Sequence, residues 1–149
     1  MTTREEWIAG ARPKTLAAAV APVLVGTAFA GYNANALNFF LALIVGVGLQ
    51  VGVNYANDYS DGIKGTDKDR VGPMRLVGSG AASPEAVKRA AVIAIGVAAI
   101  DGVLLTARSS WILIGVGALA IVAAWTYTGG QNLMVTSRLV KFRSSSSSA

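Results

Sequence analysis

Four stretches of this 149-residue chain, 15–31, 37–57, 86–106 and 111–128, are apolar over a length that approaches or meets the roughly 20 residues a helix needs to cross a bilayer core. Backbone polar groups in lipid must be satisfied within the segment, so each stretch predicts a transmembrane helix. None shows the 3.5-residue seam of a soluble coiled coil, and Ala, Gly, Ser and Thr are frequent enough for helices to approach closely. The fold class predicted is an all-α membrane protein with four transmembrane helices. Residues 1–14 are mixed in polarity, and the span that follows resembles the later ones, so it is not expected to be a cleaved signal peptide.

Charge assigns the sides of the membrane. Twelve of the thirteen Lys and Arg residues fall at the N-terminus, between the second and third spans, at the start of the third span or after the fourth. Only Arg108 falls between the third and fourth. Basic residues gather on the cytoplasmic side of short loops, so both termini and the loop after the second span are predicted to be cytoplasmic, with the chain a multi-pass protein of the cell inner (plasma) membrane. The same topology accounts for the net charge of +5 without nucleic acid, since the basic residues form no stripe with interleaved aromatics. The chain has no cysteine and no histidine, which excludes thiol nucleophiles, disulfides, Ser-His-Asp hydrolysis and the usual zinc ligands. Oxygen-based chemistry remains.

That chemistry concentrates in "NYANDYSDGIKGTDKDR", residues 54–70, where an uncharged span ends in four aspartates. Asn54, Asn57, Asp58, Asp61 and Gly65 recur at three- and four-residue steps, which predicts one helix face at the cytoplasmic end of the second span. Carboxylates at such a place need a cation or water. Hard oxygen ligands favour Mg²⁺, which binds one or two carboxylates together with substrate phosphates. Asp58 and Asp61 are the expected catalytic and metal-binding acids, with Asn57 beside them. Asp67 and Asp69 also read as ordinary loop charges beside Lys68 and Arg70. The positions of an EF-hand loop are poorly met, and there is no P-loop string. Arg12, Lys14, Lys64 and Arg75 lie at the same predicted mouth. Each reads either as a topological anchor or as a clamp on diphosphate oxygens, and Asn54 joins them as a substrate-binding candidate.

The strings "WIAGARPKTLAAAVAPVLVGTA", "NYANDYSDGIKGTD", "RVGPMRLVGSGAAS" and "AWTYTGG", in this order, resemble the UbiA superfamily of membrane prenyltransferases, and most of all its branch acting on 1,4-dihydroxy-2-naphthoate. The resemblance implies Mg²⁺-dependent transfer of a polyprenyl group from its diphosphate to the naphthoate, with loss of the carboxyl group, giving demethylmenaquinone. It maps Asn57, Asp58 and Asp61 onto the family's NDxxDxxxD motif. Gly65 stands where the last aspartate would be, and Asp67, two residues on, is the candidate for a further metal ligand. Arg12 and Lys14 match the cationic segment before the first helix.

Family members are about twice as long, with eight or nine spans and a second aspartate motif. The resemblance therefore predicts that residues 15–130 correspond to the first half of such a bundle. It also predicts that 131–149 is a low-complexity tail outside the family pattern, and that these residues alone form a truncated, inactive enzyme. Other readings are a fragment of another UbiA-type aromatic prenyltransferase, or a four-helix membrane binding or transport subunit. A transporter would place its polar cluster near mid-membrane, not at one mouth. Self-association, prenyl chain length and acceptor choice within the family are not legible in the residues.

Overall fold

Helix starts follow the local capping chemistry. In the computed structural model, which describes residues 2–64 and 74–119, helix α1 (Arg4–Ala11) begins in a capping box. The Glu6 N–H donates to Thr3 Oγ1 at 3.2 Å, and the Thr3 N–H donates to Glu6 Oε2 at 2.6 Å. The backbone bond from Thr3 holds the Glu6 carboxyl below its ordinary pKa. A lowered folded-state pKa stabilises the cap above the usual carboxylate range, and this contribution is lost as the pH falls through the lowered value. Residues 1–14 read in the sequence as an N-terminal segment of mixed polarity, so helix α1 is an addition.

Helix α2 (Pro13–Ala30) has proline at its first position, where no N–H is needed, and a 3₁₀ turn at Gly31–Asn33 follows it. Helix α3 (Ala36–Lys64) starts under Asn35, whose Oδ1 accepts from the Leu37 and Asn38 N–H groups. Helix α4 (Pro84–Arg108) starts at the Ser83 cap. All described residues are helical, turn or irregular, with no strand among them. The helices α2 with its following turn, α3 and α4 are long and apolar enough to cross a membrane, as three of the four expected spans require. A further helical stretch, 112–119, belongs to a separate unit beginning at Ser110. The rest of the expected fourth span and the 131–149 tail lie outside the described residues.

In the first unit the ends of the helices alternate. Thr2 Oγ1 donates to the Ala81 carbonyl at 2.7 Å, tying the N-terminus to the segment that precedes α4. At the other end Arg108 Nε donates to Asn38 Oδ1 at 3.2 Å, so the basic residue that ends α4 is engaged there.

Burial is uneven. The buried cluster of Tyr55, Leu76, Ala82, Val87 and Ala91 lies where α1, the end of α3, the turn 74–82 and the start of α4 meet. Along the spans, Phe29, Ile93, Ile100 and Val103 are exposed, as side chains facing lipid or other protein surface would be. Helix α3 meets α4 closely at Gly52, where an added Cβ would lie 2.5 Å from Ile95 Cγ1. Gly52→Val is therefore expected to destabilise the fold by about 1–3 kcal/mol, as overpacked sites do. Gly26→Val, with nothing within 4 Å of the added atom, is the control, and thermal unfolding in detergent compares the two.

Candidate functional site

The polar end of α3 divides into two rows. Asn54 and Asp58 are one turn apart, as are Asn57 and Asp61, and a step of three residues offsets the rows by roughly 60° around the helix. The inner row is buried: Asn54 is 4% exposed and Asp58 1%. In the outer row Asn57 is exposed and the Asp61 side chain retains 31% of its surface. The single face expected from the spacing is thus two faces in different surroundings.

Asp58 is engaged by backbone. Its Oδ2 accepts from the Leu76 N–H at 2.7 Å and its Oδ1 from the Val77 N–H at 3.1 Å. Those amides belong to a turn closed by bonds from Ser79 N to Arg75 O and from Ala82 N to Leu76 O. Leu76 is fully buried. A Cβ added to Gly10 would come within 2.6 Å of Leu76 Cδ1, and one added to Gly62 would collide with Val77. Glycine at these two places lets the turn lie directly on α1 and α3. The turn brings Arg75 to the outer row, with Nη2 at 3.0 Å from Asp61 Oδ2.

Asn54 holds a second corner. Its Nδ2 donates to the Ala11 carbonyl at 2.8 Å and to Thr15 Oγ1 at 3.0 Å. The Thr15 hydroxyl in turn donates to the Arg12 carbonyl at 2.9 Å. Between these anchors Arg12 adopts φ 56° and ψ 70°, the left-handed region. A non-glycine residue there costs on the order of 1–2 kcal/mol, so the bonds around it maintain the corner against local preference. Tyr55 adds a further tie, donating its hydroxyl to the Trp7 carbonyl at 2.9 Å while its ring meets the Trp7 ring edge-on.

The structure therefore brings Asp58, Asp61 and Arg75 together and sets Asn54 under the corner that carries Arg12. Lys14 and Lys64 are exposed at the same end of the helices. Asp67 lies outside the described residues. Thr15, Leu76 and Tyr55 are absent from the sequence expectations. None carries a distinguishing local sign, since Leu76 is one of several apolar residues in its connection, with Val71, Met74 and Val77. Among the described residues no three acidic side chains gather as a metal cage. The outer row instead offers one carboxylate and one amide with hard oxygens at an accessible helix end. This suits Mg²⁺, which keeps several waters and shares its shell with phosphate oxygens.

An open apolar groove of about 390 Å³ leads away from this end between α2 and α3, lined by Pro22, Val23, Val45, Leu49, Gln50 and Val53 among others. Gln50 donates to Thr15 Oγ1 at 3.4 Å, so the groove adjoins the Asn54 network.

The UbiA prenyltransferase family is matched by residues 19–141. A 1,4-dihydroxy-2-naphthoate octaprenyltransferase of Mycobacterium tuberculosis is 52% identical over 132 residues, 87% of this chain and 45% of that relative. The Mycobacterium leprae protein of the same name is 53% identical over 131 residues, again 87% and 45%. That of Escherichia coli is 40% identical over 135 residues, 85% of this chain and 44% of the relative. No solved structure matches the chain. The chain spans less than half the length of these curated relatives.

Proposed function

Because the chain belongs to the UbiA prenyltransferase family, we propose that its polar helix end is the diphosphate half-site of a polyprenyltransferase that acts on 1,4-dihydroxy-2-naphthoate. The single observation that carries this reading is the outer row of α3, where Asn57 and Asp61 stand at an accessible mouth with Arg75 fixed 3.0 Å from Asp61. Opposite charges set side by side can meet both components of a metal diphosphate. The relatives' names supply the acceptor.

In this reading Asp61 and Asn57 hold Mg²⁺, with Asp67 a further candidate ligand, and the ion supplies charge stabilisation to the departing diphosphate. Arg75, Arg12, Lys14 and Lys64 bind and orient its oxygens. The groove between α2 and α3 takes part of the polyprenyl tail, and in a full-length protein the further residues that close this open groove exclude water from the allylic cation left by C–O cleavage. The electron-rich ring carbon bearing the carboxyl group attacks that cation, forming the new C–C bond, and the carboxyl leaves as CO₂. The product is at the quinol level, and the quinone form, demethylmenaquinone, follows only from a separate two-electron oxidation by an external electron acceptor. No protein nucleophile is required.

The test is product formation by a full-length protein containing these residues, supplied with a polyprenyl diphosphate and dihydroxynaphthoate. Prenylated product is expected with Mg²⁺ and none with chelator. Prenylation unaffected by chelator, or absent altogether, would contradict the reading.

We further propose four spans of a UbiA-type bundle in the plasma membrane with both termini cytoplasmic, on the basis of the twelve-to-one charge distribution. In a chain without native cysteine, single cysteines at Asn33 and Ser109 are expected to react with an impermeant reagent from outside the cell, and those at Ser60 and Ser83 only after permeabilisation. Labelling of Ser60 or Ser83 from outside would reverse the topology.

A further inference from the structure

We infer that Asn54 and Asp58 are positioning residues: buried on the inner row of α3, they fasten the corner carrying Arg12 and the turn carrying Arg75, and so place both arginines for a diphosphate. This rests on the proposed half-site but assigns the two residues a part other than binding metal or substrate.

The geometry separates Asp58 from Asp61. Both Asp58 oxygens are taken by successive backbone N–H groups, and the residue is 1% exposed. Mg²⁺ keeps a hydrated octahedral shell, and a carboxylate enclosed in this way presents no open side to it. The bonds instead fix Leu76 and Val77, the two residues after Arg75. Leu76 is buried beside Gly10 and Tyr55, and Val77 lies on Gly62, so the turn is pinned on one flank of the arginine by packing and hydrogen bonds together. A carboxylate suits this task because it only accepts, and can meet two donors at once. Asparagine at 58 would turn an NH₂ toward one of the two N–H groups. Asn54 is the counterpart one turn earlier. As an amide it donates to the Ala11 carbonyl and Thr15 hydroxyl, on either side of the left-handed Arg12.

Mn²⁺ binding followed by electron paramagnetic resonance, and Mg²⁺-pyrophosphate affinity by calorimetry, test this in the 149-residue chain in detergent. Asp61→Asn is expected to weaken Mn²⁺ by at least about tenfold. Asp58→Asn is expected to leave Mn²⁺ within about twofold while weakening Mg²⁺-pyrophosphate by about 10–100-fold, the range seen when supporting partners of a site are removed. If Asp58 acts through Arg75, the double variant with Arg75→Ala loses no more pyrophosphate affinity than Arg75→Ala alone. Equal loss of Mn²⁺ in the Asp58 and Asp61 variants, or additive losses with Arg75→Ala, would overturn the assignment.

Two measurements stand apart from ligand affinity, and the first of them also from the folding of any Asp58 variant. In the unsubstituted chain the Leu76 and Val77 amides should exchange slowly with solvent, equally with and without saturating Mg²⁺; exchange accelerated tenfold by Mg²⁺ would mean that the ion takes Asp58 from the turn, and would overturn the inference. A nitroxide on Ser79→Cys should be constrained, and released by Asp58→Asn; a label equally mobile in both would overturn it too. Absence of pyrophosphate binding with both amides protected and the label constrained would instead contradict the proposed half-site and leave the fastening role standing.

Discussion

Asp61→Asn, introduced into a full-length protein containing these residues, is expected to lower Mg²⁺-dependent prenyl transfer by at least about a hundredfold, the usual cost of losing one preorganised charge at a reacting centre. The substitution keeps the shape of the side chain and removes its charge. It also releases Arg75 from its 3.0 Å ion pair, so two groups of the proposed half-site change together. The fall should appear in kcat as well as in kcat/KM, because the interaction strengthens as charge develops on the leaving group. Insertion and helix content should be unaffected, since Asp61 lies outside the buried cluster. Rates are compared at saturating Mg²⁺, where unchanged turnover would remove Asp61 from the site.

The 149 residues expressed by themselves are expected to transfer prenyl groups at least about a hundredfold more slowly than a full-length relative, with no product above background the expected reading. The relatives matched are more than twice as long, and among the described residues the acids of α3 provide carboxylate from one side only. A departing diphosphate is stabilised by charges held around it. The groove between α2 and α3 is open, and the exposed apolar residues of α4, among them Ile93, Ile100 and Val103, present no wall to an allylic tail. Water would reach the cation before the acceptor ring does. The assay is chromatographic detection of product in liposomes, and turnover at the rate of a full-length relative would show that these residues, alone or as pairs of chains, build a complete site.

The helices that carry the site were legible in the sequence because length and hydropathy alone report a span. The three- and four-residue steps from Asn54 to Asp61 likewise announced a polar helix end. Those steps could not tell the inner row from the outer, since each row holds the same four-residue step and three-residue steps join the two, and what separates the rows comes from elsewhere in the chain. Asp58 is buried because a turn 18 residues later lays its amides on it, and Asn54 because the α1–α2 corner lies over it. Such contacts leave no local pattern. Arg75 was marked by its charge, but its meeting with Asp61 depends on Leu76 filling the space beside Gly10, a packing event between distant segments. Helix α1 had its signal in Thr3 and Glu6, spaced as a capping box, and the low apolar content around them hid it.

In the proposed half-site the outer row of α3 with its arginines receives a metal diphosphate. Calorimetric titration of pyrophosphate into the 149-residue chain, with Mg²⁺ and with chelator, tests it most directly. Binding is predicted with Mg²⁺ alone, and its loss in Asp61→Asn. Binding of equal strength in chelator, binding retained by Asp61→Asn, or no binding under either condition would remove the metal diphosphate from this helix end.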